Sequence, residues 1–178
     1  ANVEKYFSNT NNLINSPFFL PYLSGERTPH NDPYIRGSFH SMKTTTSSTN
    51  LQYAVIEGVS FGILDGVNSI LKVNKNFEKI FMVGGGSKSK FWIELIASLL
   101  NRNLSVCNQS EFGAALGVAR LAMHVDKNIN SDTSIIKEIK ISETFNPIDN
   151  KIDLLLKRYS IWKDLYSSNK DIAPSLLT

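Results

Sequence analysis

Three consecutive glycines, Gly84, Gly85 and Gly86, stand between an apolar run (Ile80, Phe81, Met82, Val83) and the polar residues Ser87 and Lys90. Three glycines let a backbone approach another backbone, or a flat ligand, without side-chain interference. The helix expected to follow would turn free N–H groups and a positive dipole end toward the bend. Those features suit a nucleotide. The spacing G-x-x-x-x-G-K-[ST] is absent, and no G-x-G-x-x-G follows a strand, so neither of two common phosphate-binding fingerprints is present. From these residues alone, a bend that only joins a strand to a helix reads equally well.

A second concentration of polar and turn-forming residues is Gly25-Glu26-Arg27-Thr28-Pro29-His30-Asn31-Asp32-Pro33. Loops held by strands often carry function. The local alternative is a turn in which Asp32 and Asn31 cap nearby N–H groups and Arg27 pairs with Glu26 or Asp32. His40 and His124 have no partners at metal-ligand spacing. Cys107 ends an apolar stretch and reads as a packed thiol rather than a nucleophile. Glu57 and Asp65 lie two turns apart on one expected helix, where pairing or capping fits better than acid–base work. No Ser/His/Asp arrangement is legible. The aromatics are not set among Lys and Arg, which argues against a nucleic-acid surface.

The elements that must position these residues alternate between strand and helix, the pattern of an α/β domain. Residues 2–14 read as the end of a helix running into a loop at Asn11 and Asn12. Pro17 to Leu23 and Arg36 to Met42 read as short strands. Thr49 or Asn50 is the expected N-cap of a helix from Leu51 to Val73, whose apolar residues recur at steps of three and four. Gly58, Gly62 and Gly66 share one stripe of that helix, which predicts tight packing against a sheet. Phe77 to Val83 reads as a strand buried on both faces. Ser89 to Leu100 reads as a helix burying Phe91, Trp92, Leu95, Ile96, Leu99 and Leu100. Leu104 to Cys107 is a short strand and Phe112 to Val125 a small-residue helix. A weak strand is expected near Ile136 to Ile141. The last helix spans about Ile152 to Ser167, with Leu155, Tyr159, Trp162, Leu165 and Tyr166 inward.

The whole chain has 178 residues, 42% of them hydrophobic and 20% charged, which suits one globular domain and not a disordered chain. Its single cysteine excludes a disulfide scaffold. No run reaches the roughly 18 apolar residues expected of a membrane span. The balance of 19 basic against 16 acidic residues is too even to call for nucleic acid. The chain begins at Ala1, and its Asn-rich start lacks the pattern of a secretory signal.

The run Phe19 to Pro33, reading FLPYLSGERTPHNDP, closely resembles the signature of the xylulose kinases, a branch of the FGGY carbohydrate kinases. Arg36-Gly37-Ser38-Phe39, Ala54 to Val59, Gly84 to Ser89, Gly113 to Ala122 and the tail from Pro147 to Tyr166 continue the likeness over nearly the whole chain. The resemblance implies an α/β fold of the actin-like, ribonuclease-H-like kind, incomplete at its N-terminal side. Residues 1–178 would form most of the C-terminal, nucleotide-binding domain, with the N-terminal sugar-binding domain absent. The catalytic aspartate, the sugar contacts, much of the magnesium site and a Gly-Thr-Ser hairpin would all precede Ala1.

No catalytic or metal-binding residue is therefore carried over. The nucleotide-binding residues implied by the resemblance are Gly84, Gly85, Gly86, Ser87 and Lys90. The cofactors implied are ATP and Mg2+, with magnesium ligands mainly outside this chain. The complete enzyme would move the γ-phosphate of MgATP to the terminal hydroxyl of D-xylulose, in the cytoplasm, and this chain alone would bind nucleotide weakly and catalyse nothing. Its partners would be ATP, a ketose and the missing domain, with no nucleic acid or membrane; a homodimer is allowed. Two alternatives stand: a non-catalytic nucleotide- or partner-binding domain of the same fold, and a kinase for another ketose. Lys90 departs from the polar or acidic residue common in relatives, and Ser41 from their glycine.

Overall fold

The computed structural model describes residues 3–73, 79–108, 110–126 and 140–172. Its elements are α1 (Val3–Ser8), α2 (Thr10–Asn15), β1 (Phe18–Leu20), β2 (Ser38–His40), α3 (Ser48–Val73), β3 (Phe81–Met82), α4 (Lys90–Leu100), β4 (Leu104–Cys107), α5 (Gly113–Asp126), β5 (Ile141–Phe145) and α6 (Asp149–Asn169). Short 3-10 turns, Gly85–Lys88 and Ser110–Phe112, precede α4 and α5.

The helical period that begins at Leu51 belongs to α3, but the helix starts earlier than the expected cap. Ser47 and Asn50 cap each other: the Asn50 N–H donates to Ser47 Oγ (3.3 Å), and the Ser47 N–H donates to Asn50 Oδ1 (2.7 Å). By length and composition alone α3 could cross a membrane, which corrects the expectation that no segment could. It lines the core instead. Tyr53, Ala54, Phe61 and Leu64 are buried on it, together with Glu57 and Asp65. The glycine stripe meets its expected role at one position. A Cβ on Gly58 would sit 2.2 Å from the Phe19 carbonyl oxygen of β1, whereas Gly62 has only a Pro21 Cγ at 3.9 Å and Gly66 nothing within 4 Å.

β1 and β2 pair antiparallel, with Phe19 opposite Phe39. Upstream, the expected loop at Asn11 and Asn12 is helical. The break falls at Asn9, whose side chain accepts the Asn11 N–H (3.0 Å) and starts α2, so Asn11 and Asn12 form its first turn.

A second sheet orders its strands β3-β4-β5, with β3 parallel and β5 antiparallel to β4. The expectation that Phe77 to Val83 is buried on both faces is overturned. Among the described residues of that run only Phe81–Met82 is strand, Ile80 to Met82 are half-buried, and Val83 is 57% exposed. The reason is position: among the described residues β3 has a neighbour on one side only, so an apolar run lies at a sheet edge. Residues 74–78 and the first part of the weak strand expected from Ile136 lie outside the described residues. The described strand there is β5, which starts at Ile141, where the expected one ends, and runs to Phe145. Cys107, at the end of β4, is half-buried rather than packed.

α4 is buried on two sides, which its expected single face missed. Phe91, Leu95 and Leu99 join the cluster built by α3 and α6, while Ile93, Ile96 and Ala97 pack with Leu104, Val106 and Phe145 of the second sheet. Trp92 and Leu100, expected inside, are half-buried. α6 brings Leu155, Tyr159 and Trp162 inward as expected. It also brings Arg158 against α3. Arg158 donates to both Glu57 oxygens (2.7 and 2.6 Å), with the two side chains 5% and 1% exposed. Tyr53 donates a third bond to Glu57 (3.0 Å). Burial holds the Glu57 carboxyl above its ordinary value, and the guanidinium and the Tyr53 hydroxyl offset only part of that rise. Glu57 is thus a structural pair, not an acid or base.

Candidate functional site

The glycine bend lies at the end of β3, supported from beneath by α4. Its three glycines do three different things. Gly84 has φ +83° and ψ −169°, a conformation reached essentially by glycine alone. Gly85 opens the 3-10 turn, and a Cβ there would meet nothing within 4 Å. Gly86 is filled from its own side: a Cβ would lie 2.9 Å from both Met82 Cε and Trp92 Cζ3. The bare backbone is therefore Gly84–Gly85, and Gly86 is a packing glycine.

Ser89 caps α4 by accepting the Trp92 N–H at 3.3 Å. The Trp92 indole N–H in turn donates to Ser60 Oγ of α3 (2.8 Å). Through Trp92 the bend is tied to the main core helix.

The other wall is the start of α5. The Gly84 N–H donates to the Ser110 carbonyl (2.8 Å). The Ser87 hydroxyl donates to the Gly84 carbonyl (2.7 Å) and meets Ser110 Oγ at 2.8 Å. A Cβ on Gly113 would come within 3.9 Å of the Gly84 nitrogen. Ser87 thus spends its hydroxyl on shaping the bend. The described side chains around and beyond Gly113 are largely exposed, with Phe112 of the preceding turn at 56% and Val118 and Leu121 of α5 at 65% and 69%.

Lys90, at the first position of α4, is drawn toward β5. Its Nζ lies 2.8 Å from Glu143 Oε1, and that carboxylate raises the Lys90 pKa. The structure therefore brings Gly84, Gly85, Gly86 and Ser87 together, joins them to Ser110 and Gly113, and turns Lys90 to an ion pair. Ser110 and Glu143 escaped the sequence reading. A serine three residues before a helical glycine was the one signal for Ser110; nothing local marks Glu143. No group of three or more His, Cys, Asp or Glu that could hold a metal occurs among the described residues.

The second candidate loop is a structural clamp. Glu26 accepts the N–H groups of Thr28 and His30, the latter at 2.7 Å. Asp32 accepts those of Tyr34 (2.9 Å) and Ile35 (3.1 Å), and the Tyr34 amide leads in holding its carboxyl below the usual range. The loop is docked by the His30 ring stacked on Tyr166 of α6 (3.6 Å between centroids, 11°) and by the Tyr166 hydroxyl on Asp32 (3.0 Å). Asp65 accepts the Tyr159 hydroxyl and faces His30 Nε2 at 3.6 Å. The capping carboxylates are Glu26 and Asp32; Asn31 contributes a turn position at φ +51°.

Comparison with known proteins gives the bend a context. Residues 5–125 match the C-terminal domain of the FGGY family of carbohydrate kinases. A xylulose kinase of Staphylococcus epidermidis is 33% identical over 165 residues, covering 92% of this chain and 33% of the relative. A ligand-bound xylulose kinase from Lactobacillus acidophilus superposes with a TM-score of 0.76 at 26% identity, covering 98% of this chain and 35% of that one. A gluconate kinase from the same organism gives a TM-score of 0.76 at 25% identity, with the same two coverages. The chain spans about a third of the length of the curated relatives it matches.

Proposed function

The chain belongs to the FGGY family of carbohydrate kinases, and from that premise we propose that it supplies the nucleotide-binding C-terminal domain of a cytoplasmic, ATP-dependent kinase for a ketose, D-xylulose first. The observation that carries this reading is the bare backbone at Gly84–Gly85, backed by α4 on one side and by the start of α5 on the other. Phosphoryl transfer needs positioning and charge neutralisation more than covalent chemistry. Bound MgATP would supply the phosphoryl group. This chain's share is to receive the adenosine part on Gly84–Gly85, with Ser87 holding the bend in shape and Gly86 seated on Trp92. Lys90 stands at the rim, tied to Glu143. On this reading the magnesium ligands lie mainly in the remainder of the enzyme.

The half-buried edge of β3 and the exposed α5 support the same reading. Among the described residues both leave apolar surface where further polypeptide of the parent enzyme would pack. The equal likeness to a gluconate kinase favours one second reading, a kinase for another sugar or sugar acid.

Calorimetric titration of the chain with ADP and ATP tests the site. Gly85→Val is the discriminating variant, because its side chain enters open space and leaves the fold intact. Binding is expected in the parent chain and about tenfold or more weaker in the variant, a change of roughly 1.4 kcal/mol. Equal affinities, or no saturable heat in the parent chain, would remove the reading. A complete enzyme that contains this chain is expected to phosphorylate D-xylulose in preference to D-gluconate; the reverse order would install the second reading.

A further inference from the structure

We propose that Ser110 is a positioning residue for the nucleotide loop: it pins both backbone polar groups of Gly84 and so keeps the neighbouring Gly85 peptide open. This rests on the nucleotide reading above and adds to it a residue outside the glycine run.

The argument is a proton count. Ser87 has one hydroxyl proton, and it goes to the Gly84 carbonyl at 2.7 Å. In the 2.8 Å contact between Ser87 Oγ and Ser110 Oγ, the donor is therefore Ser110. On the other side, the Gly84 N–H donates to the Ser110 carbonyl at 2.8 Å. The bonds close a ring that leaves Ser110 through its hydroxyl, passes Ser87 and both polar groups of Gly84, and returns to the Ser110 carbonyl. A backbone at φ +83° and ψ −169° persists only when its surroundings over-determine it. Ser110 supplies that constraint from 26 residues away in sequence. It is only 7% exposed, and its hydroxyl meets Ser87 Oγ. The open face of Gly85 follows: with its neighbour anchored to the start of α5, the next peptide cannot fold back onto the protein.

Ser110→Ala removes the hydroxyl donor and keeps the backbone bond, while Ser110→Thr keeps both. Amide hydrogen exchange and ADP titration on the same samples separate the proposal from the reading beneath it. In Ser110→Ala, exchange at Gly84 to Ser87 is expected to quicken several-fold, up to about tenfold, the scale of one hydrogen bond. The ADP dissociation constant is expected to rise about five- to tenfold. Ser110→Thr should restore both to within about twofold. A lowered melting temperature with unchanged exchange and affinity would make Ser110 merely structural and overturn the proposal. So would a threonine variant no better than alanine. If the parent chain fails to bind ADP while exchange still quickens in Ser110→Ala, the nucleotide reading falls, and the ring is left with no ligand to serve.

Discussion

Where α6 crosses α3, buried polar groups are used up on one another. Glu57 takes two bonds from Arg158 and one from Tyr53, and the Trp162 indole donates to the Phe19 carbonyl at 2.8 Å. Where the glycine bend meets α5, hydrogen bonds hold the backbone from behind, and its outer face stays bare. Both regions use glycine, with opposite consequences. Gly58 is small so that β1 can fill its space; Gly85 is small and nothing fills its space. A backbone stays open only where neighbouring elements hold it, and here α4 and Ser110 do so.

Several substitutions would break or sharpen this contrast. The largest effect belongs to the crossing: Glu57→Gln leaves Arg158 buried without its counter-charge and should cost about 3–5 kcal/mol in urea unfolding. A loss under about 1 kcal/mol would deny the pair its structural role. Next comes the glycine pair on α3. Gly58→Ala drives a Cβ into the Phe19 carbonyl and should lose roughly 1–3 kcal/mol despite better helix propensity. Gly66→Ala meets nothing and should gain up to about 1 kcal/mol. Equal effects would mean that β1 does not press on α3.

Smaller still is Ser41, which follows β2 at φ +61°. A left-handed residue costs a non-glycine side chain about 1–2 kcal/mol, and glycine returns part of that as chain entropy. Ser41→Gly should therefore raise stability by about 0.5–1 kcal/mol, read from the unfolding midpoint.

The smallest effect is a pH slope. Burial holds His40 below its ordinary value of 6.5. The unfolded chain thus takes up the proton first, and stability present above pH 6.5 declines as pH falls through that value toward the lower folded one. His40→Gln should remove this part of the slope. An unchanged slope would mean that the Ser38 and Asn169 contacts at Nε2 hold the imidazole without favouring its neutral form.

Much of the scaffold was legible in the residues. The three- and four-residue steps of α3, the α4 run after a serine cap and the β4 strand are local patterns, and each stands close to where its pattern lies. Errors arose where burial depends on neighbours. The apolar run at β3 looked doubly covered because composition does not say whether a strand lies at a sheet edge. Ile93 went unnoticed because a helix packed on two sides has no single apolar stripe. The expected cap of α3, Thr49 or Asn50, lies inside the helix, because Ser, Thr and Asn all suit a cap and only the reciprocal bonds of Ser47 and Asn50 choose. At the site, the three glycines were visible as a group, but their separate roles were not.

By itself the sequence determined the alternation of strands and helices, the place of the glycine bend between them, and the family to which the chain belongs. Those are properties of neighbouring residues and of motifs read in order. Only the tertiary structure decided that Gly85 is open while Gly86 is packed, that Ser110 anchors Gly84, that Lys90 turns to Glu143 and that Glu57 meets Arg158. The last three join residues 26, 53 and 101 positions apart or are relayed across such gaps (Ser110 from Gly84, Glu143 from Lys90, Arg158 from Glu57). Hydrogen bonds and van der Waals contacts act over a few ångströms, so such partners are chosen by packing and not by the order of the chain.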